Sequence, residues 1–113
     1  MIQAELVLKD GLLKSCRISG HAGAGPKGSD IVCAAVSVLA RTALMIISER
    51  KDIKIQGGHP ERGHFWMDIS VISVESKDFL DGVGTFLKQG LISVSREFPD
   101  FCVINIEEIH DGS

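Results

Sequence analysis

No Lys/Arg block occurs in this sequence, and its charge leans acidic: twelve Lys and Arg against fifteen Asp and Glu, a net of −3. The electrostatic footprint of a nucleic-acid binder is missing. Cysteine is sparse and odd in number. Cys16, Cys33 and Cys102 cannot all pair within one chain, and no C-x-x-C occurs, which argues against a disulfide scaffold or a zinc ribbon. No apolar run reaches the length of a membrane span. Met1 to Asp10 lacks the charged head and apolar core of a signal peptide. Together these absences predict a cytoplasmic protein with no direct nucleic-acid or membrane partner. Linkers and low-complexity segments are missing too. With 113 residues, 44% hydrophobic and 24% charged, residues 1–113 read as one ordinary globular domain.

What is there is a clear alternation of periods. Met1 to Lys9 places Ile2, Ala4, Leu6 and Leu8 on one side, as a half-buried strand does. Leu12 to Ser19 is a second strand after Asp10-Gly11. A two-residue turn would set Leu6 opposite Ser15 and mix the faces. A three-residue loop, Lys9-Asp10-Gly11, sets Leu8 opposite Leu12, Ala4 opposite Cys16 and Ile2 opposite Ile18, and is the expected register. Cys16 is then a core filler. Asp30 to about Arg50 reads as a long helix, capped by Ser29 or Asp30, with Val32, Val36, Leu39, Ala40, Ala43 and Ile47 as its apolar face. Ile31, Ala35, Val38, Met45 and Ile46 widen that face, so cover on more than one side is expected. Cys33, Ser37, Arg41 and Ser48 share the helix's one polar seam.

Lys51 to Gln56 is a short strand, and "GGHPERG" (57–63) is turn chemistry. In His64 to Val74, Phe65, Met67, Ile69 and Val71 face inward. Asp78 to about Phe98 is a second helix with Phe79, Leu80, Val83, Phe86, Leu87, Leu91 and Val94 in one stripe, stopped by Pro99. Phe101 to Ile109 is the last strand, with Cys102, Ile104 and Ile106 on one face. The order ββαββαβ predicts an α+β two-layer domain: one mostly antiparallel sheet with two helices.

The rhythm breaks at "GHAGAGPKGSDIVCAAVS", Gly20 to Ser37. Gly23 to Gly28 matches G-x-G-x-x-G, but the strand before it belongs to a hairpin and no Gly-Lys-Ser/Thr occurs, so nucleotide binding is set aside. His21, Cys33, His59, His64 and His110 are ligand types without a close ligand pair, so no metal or other cofactor is expected. His59 and His64 read as solvated turn residues. A thiol chemistry fits better. Cys33 in the first helical turn sits near the positive end of the helix dipole, which favours a thiolate, and a nearby histidine can take the proton. The bland alternative is a small buried core residue. Gly23, Gly25 and Gly28 give the loop freedom to open for a substrate and close over it.

"GHAG", followed after a glycine-containing loop by "DIVCAAVS", resembles the signature of the ribosomal-processing cysteine proteases, the Prp family. The resemblance extends over the whole chain in length and element order. It implies a catalytic dyad of Cys33 as nucleophile and His21 as general base, with Asp30 and Ser37 in support. Asp30 would cap the helix or orient His21. It also implies a homodimer and a substrate: the N-terminal extension of large-subunit ribosomal protein twenty-seven, cut after an aromatic pair and before a small residue. The loop departs from the family in reading Ala24-Gly25-Pro26-Lys27 where relatives often carry an aromatic residue and an acid. The competing function is a non-catalytic module that binds a ribosomal protein or the ribosome surface through this loop.

Overall fold

The computed structural model describes residues 1–20, 29–61 and 63–110, with residues 29 and 30 described by their backbone alone. Strands β1 (Ile2–Lys9) and β2 (Leu12–Ser19) precede α1 (Ser29–Ser48). Strands β3 (Ile53–Gly58) and β4 (His64–Ile72) precede a single 3₁₀ turn (Val74–Ser76) and α2 (Lys77–Glu97), and β5 (Cys102–Ile109) closes the order. The five strands form one sheet in the order β3-β4-β2-β1-β5. Every neighbouring pair is antiparallel except β1 with β5, which run parallel. The fold is therefore α+β in the expected ββαββαβ order.

Alternation decides which face is covered. Ile2, Ala4, Leu6 and Leu8 of β1, Cys16 and Ile18 of β2, and Phe65, Met67 and Ile69 of β4 are buried, while their neighbours in sequence are half-buried or exposed. Both helices pack on that one face. Val32, Val36, Ala40, Ala43 and Ile47 of α1 and Leu80, Leu87 and Leu91 of α2 complete the core. Leu6 is 1% exposed at its centre. Truncating it to alanine would cost about 2–5 kcal/mol.

The β1–β2 register differs from the expected one. Lys9 pairs with Leu12, so the turn is Asp10-Gly11 alone, and both residues have positive φ, 51° and 82°. That is the type I′ geometry whose twist matches a hairpin. The mixing of faces is avoided by a bulge: Leu8 pairs with Leu13 but Val7 with Ser15, leaving Lys14 unopposed. Beyond the bulge Leu6 faces Cys16 and Ala4 faces Ile18. The Lys14 side chain donates to the Ile69 carbonyl on β4.

A second irregularity corrects β4. Lys54 pairs with Val71 and Ile55 with Ile69, so Ser70 is the extra residue. The alternation flips there, leaving Val71 exposed and Ile72 half-buried. Phe86 also departs from the expected stripe on α2: it is 71% exposed, and the buried positions run Leu80, Gly84, Leu87, Leu91. As expected, Pro99 follows the end of α2 directly, with the Phe98 N–H bonded to the Val94 carbonyl.

Helix α1 is covered on two sides, by the sheet and by α2, as its wide apolar face predicts. Among the described residues Ile31 (64%), Val38 (65%) and Met45 (58%) remain exposed. The stretch Ile31–Ser48 is in fact long and apolar enough to cross a membrane, which corrects the sequence reading. Here its inner face belongs to the core of the sheet domain.

One polar cluster joins the elements at the far end of α1. Asp52 accepts two hydrogen bonds from Arg50 (2.8 and 2.9 Å) and one from the Ser73 hydroxyl (2.7 Å). The Arg50 guanidinium lies 4.8 Å from the centre of the Phe79 ring. These bonds hold the Asp52 carboxyl well below the usual carboxylate range, Arg50 first and Ser73 second.

Candidate active site

Cys33 is the fifth residue of α1, because the helix starts at Ser29, one residue earlier than expected. Helical Cα–Cβ bonds tilt toward the N-terminus, so a cysteine at this position leans back over the first turn. Unpaired N–H groups are concentrated there. Cys33 is half-buried, packed at the edge of the core. It lines a cleft of about 290 Å³ between the start of α1 and the ends of β2 and β4.

The other two thiols have different surroundings. Cys16 and Cys102 are buried in the core, as their strand faces predict. Burial pushes the Cys16 thiol up to about 12, against a smaller opposing pull from the Arg17 charge. Burial raises Cys102 too. Neither is suited to be a nucleophile at neutral pH.

The seam on α1 behaves as its spacing predicts. Ser37 and Arg41, one and two turns beyond Cys33, line the same cleft, and both are exposed. Val36 and Ala40, with Ile2 and Ile18, form its apolar floor. The cleft therefore pairs an apolar base, suited to a hydrophobic side chain, with polar groups that can orient a peptide.

Gly20 lines this cleft, immediately before His21 in the chain. Its φ is 97°, and a Cβ there would lie 2.1 Å from the Met1 carbonyl oxygen. Only glycine fits, on conformational and steric grounds together. His21, Gly23, Gly25 and Gly28 lie outside the described residues, as does the Ala24-Gly25-Pro26-Lys27 segment. Asp30 is in the first turn of α1, with its side chain outside the description.

Sequence reasoning reads His59 and His64 as solvated turn residues and passes over Glu61. His59 and Glu61 of the β3–β4 turn and His64 at the start of β4 all line the cleft wall. The cause is strand pairing: His64 sits opposite Ser19, so the start of β4 lies beside the end of β2. His64 Nε2 is 3.9 Å from a Glu61 carboxylate oxygen. Among the described residues no three His, Cys, Asp or Glu side chains come together in a way that could hold a metal ion. The strand before the Gly23–Gly28 fingerprint is antiparallel to both its neighbours, unlike the first strand of a dinucleotide-binding unit.

The family described as Cysteine protease Prp matches residues 1–103. No curated protein matches the sequence. Among solved structures, the SMU.848 protein of Streptococcus mutans is 29% identical, with a TM-score of 0.80 over 96% of this chain and 95% of that one. The ribosomal processing protease Prp of S. aureus, in complex with a substrate peptide, is 19% identical at a TM-score of 0.78, covering 95% of this chain and all of that one. The same S. aureus protease with a covalently linked product peptide is 21% identical at a TM-score of 0.76, with the same coverage. The two S. aureus likenesses speak for the fold. The family match, running from β1 into β5 through the helix that carries Cys33, makes this chain a member of the Prp family of cysteine proteases.

Proposed function

We propose that this chain, as one protease domain over residues 1–113, removes the N-terminal extension of large-subunit ribosomal protein twenty-seven by cutting after an aromatic pair and before a small residue. The observation that carries this reading is Cys33, half-buried near the head of α1 and open to a cleft with an apolar floor. Cys33 Sγ attacks the scissile carbonyl as a thiolate. His21 takes the thiol proton and returns it to the leaving amine, and water then releases the acyl group from the sulfur. Backbone N–H groups in the first turn of α1 are the oxyanion donors. Asp30, inside the first turn of α1, orients His21 rather than capping the helix, and Ser37 touches the bound peptide. Gly23, Gly25 and Gly28 let the loop close over it.

Several observations support these roles. Gly20, whose peptide bond leads to His21, lines the same cleft as Cys33. The S. aureus relative is described as a ribosomal processing protease and was captured with a covalently linked product peptide. A homodimer in the cytoplasm completes the proposal, with the uncovered face of α1 around Val38 and Met45 as the kind of surface a second copy buries.

A synthetic extension peptide tests the specificity, alongside variants with each aromatic residue changed to Ala and the small residue changed to Leu. Loss of an aromatic side chain from its pocket should lower turnover by about ten- to a hundredfold. Equal cleavage of all four peptides, read by mass spectrometry, would defeat the assigned specificity. No cleavage by reduced enzyme would favour a binding module instead.

A further inference from the structure

Among the described residues, the Cys33 cleft borders a second space at the sheet end. A second groove of about 340 Å³ lies on the open face of the sheet, opposite the helices, and Ile18, Glu61, His64 and Phe65 line both spaces. The two spaces share a wall at the end of β2 and the start of β4, so the groove lies next to a peptide held in the cleft.

Strand register builds the groove. Glu5 on β1 pairs with Arg17 on β2, and Arg17 pairs with Trp66 on β4. All three alternate away from the core, so they form one row across the open face. Pro60 and Glu61 of the β3–β4 turn complete the walls. The Arg17 charge is answered from outside the groove: Asp68 accepts from its guanidinium at 3.0 and 3.1 Å. Its guanidinium carbon lies 6.0 Å from the centre of the Trp66 ring. Among the described residues the groove then carries the Glu5 carboxylate and the Glu61 carboxylate, the latter 3.9 Å from His64 Nε2, beside the apolar surfaces of Trp66 and Pro60.

We infer that this groove is a second substrate subsite, which takes a lysine or arginine side chain of the peptide being cut. The inference rests on the peptidase reading above. The side chain's alkyl stem lies along Trp66 and Pro60, and its charge falls between Glu5 and Glu61. An extended strand advances about 3.3 Å per residue, so about three to five residues reach roughly 10–17 Å, from the cleft to the groove that shares its wall. The basic residue therefore lies about three to five residues from the scissile bond. The cleft selects what is cut by its apolar floor, and the groove selects which chain is held there by charge.

Trp66 is the chain's one tryptophan, so its fluorescence reports on this groove directly. The full chain carrying Cys33→Ala, which leaves the peptide intact, is titrated with 14-residue peptides built around Phe-Phe-Ala. Each peptide has one lysine three, four or five residues to either side of the aromatic pair, or norleucine at the same place. At one of these positions lysine should bind about three- to tenfold tighter than norleucine, with a change in Trp66 emission. That advantage should shrink in 0.5 M salt and vanish in Glu5→Gln, but persist in Glu5→Asp. Equal binding of lysine and norleucine at every position overturns the inference. So does an advantage that survives Glu5→Gln. Failure of the peptidase reading shows elsewhere, as uncut peptides with the Cys33 enzyme.

Discussion

Gly20 and Met1 touch backbone to backbone: a Cβ on Gly20 would stand 2.1 Å from the Met1 carbonyl oxygen. The exit of β2 is thereby held against the start of β1, at the wall of the cleft that contains Cys33. Gly20→Ala must move one backbone away from the other and force alanine into a left-handed conformation. A stability loss of about 1–3 kcal/mol is expected in thermal unfolding. Peptide cleavage should fall further than stability alone explains, because the displaced segment leads into His21.

The three thiols should separate cleanly in the native protein. Cys33 borders a cleft, whereas Cys16 and Cys102 are buried with their thiols pushed upward by that burial. Iodoacetamide at neutral pH should label Cys33 alone, as read by peptide mapping, and labelling should abolish cleavage. Cys16→Ala and Cys102→Ala should each cost about 1–2 kcal/mol of stability and keep activity, since each removes one core atom. Rapid native labelling of Cys16 would contradict the packing described for β2.

Asp52 gives the fold an acid-sensitive joint. Its carboxyl is held low by Arg50 and Ser73, so the folded state favours the ionised form more than the unfolded chain does. A depressed carboxyl adds stability above its unfolded value, about 3.9, and loses it as pH falls toward the folded value. Asp52→Asn should therefore melt lower than the wild type at pH 7. The difference should narrow progressively below about pH 4. A gap between the two melting temperatures that stays constant from pH 7 to pH 2 would remove Asp52 from this role.

The outer face of α1 carries the proposed homodimer. Val38 is 65% exposed and Met45 58%, with little to hold them in an isolated chain. Val38→Glu and Met45→Glu should leave the melting temperature of the monomer fold nearly unchanged, because neither touches the core. In sedimentation both should shift a dimer toward monomer. A wild-type chain that sediments as a monomer at tens of micromolar would end the dimer proposal.

Local periodicity carried most of the fold. The inner face of α1 is legible because Val32, Val36, Ala40, Ala43 and Ile47 recur at helical spacing and are all buried. The Cys33–Ser37–Arg41 seam is legible for the same reason. Strand register was not, because single-residue bulges at Lys14 and Ser70 flip the alternation without marking the sequence. The type I′ turn at Asp10-Gly11 is signalled by its residues, yet the expected register overrode it to keep one face apolar. Lys14 achieves both by bulging out. Phe86 was misread because helical spacing alone does not show where the neighbouring helix ends its cover. In the site, His59, Glu61 and His64 join Cys33 only through the pairing of β2 with β4, a contact between distant segments that no local spacing reports.

The most direct test is turnover by a single substitution. Purified Cys33→Ala, checked for an unchanged melting curve, is incubated with the extension peptide beside the wild type, and the products are weighed. The wild type should make one cut, between the aromatic pair and the small residue, and Cys33→Ala should leave the peptide intact. Continued cleavage at that bond by Cys33→Ala would contradict it.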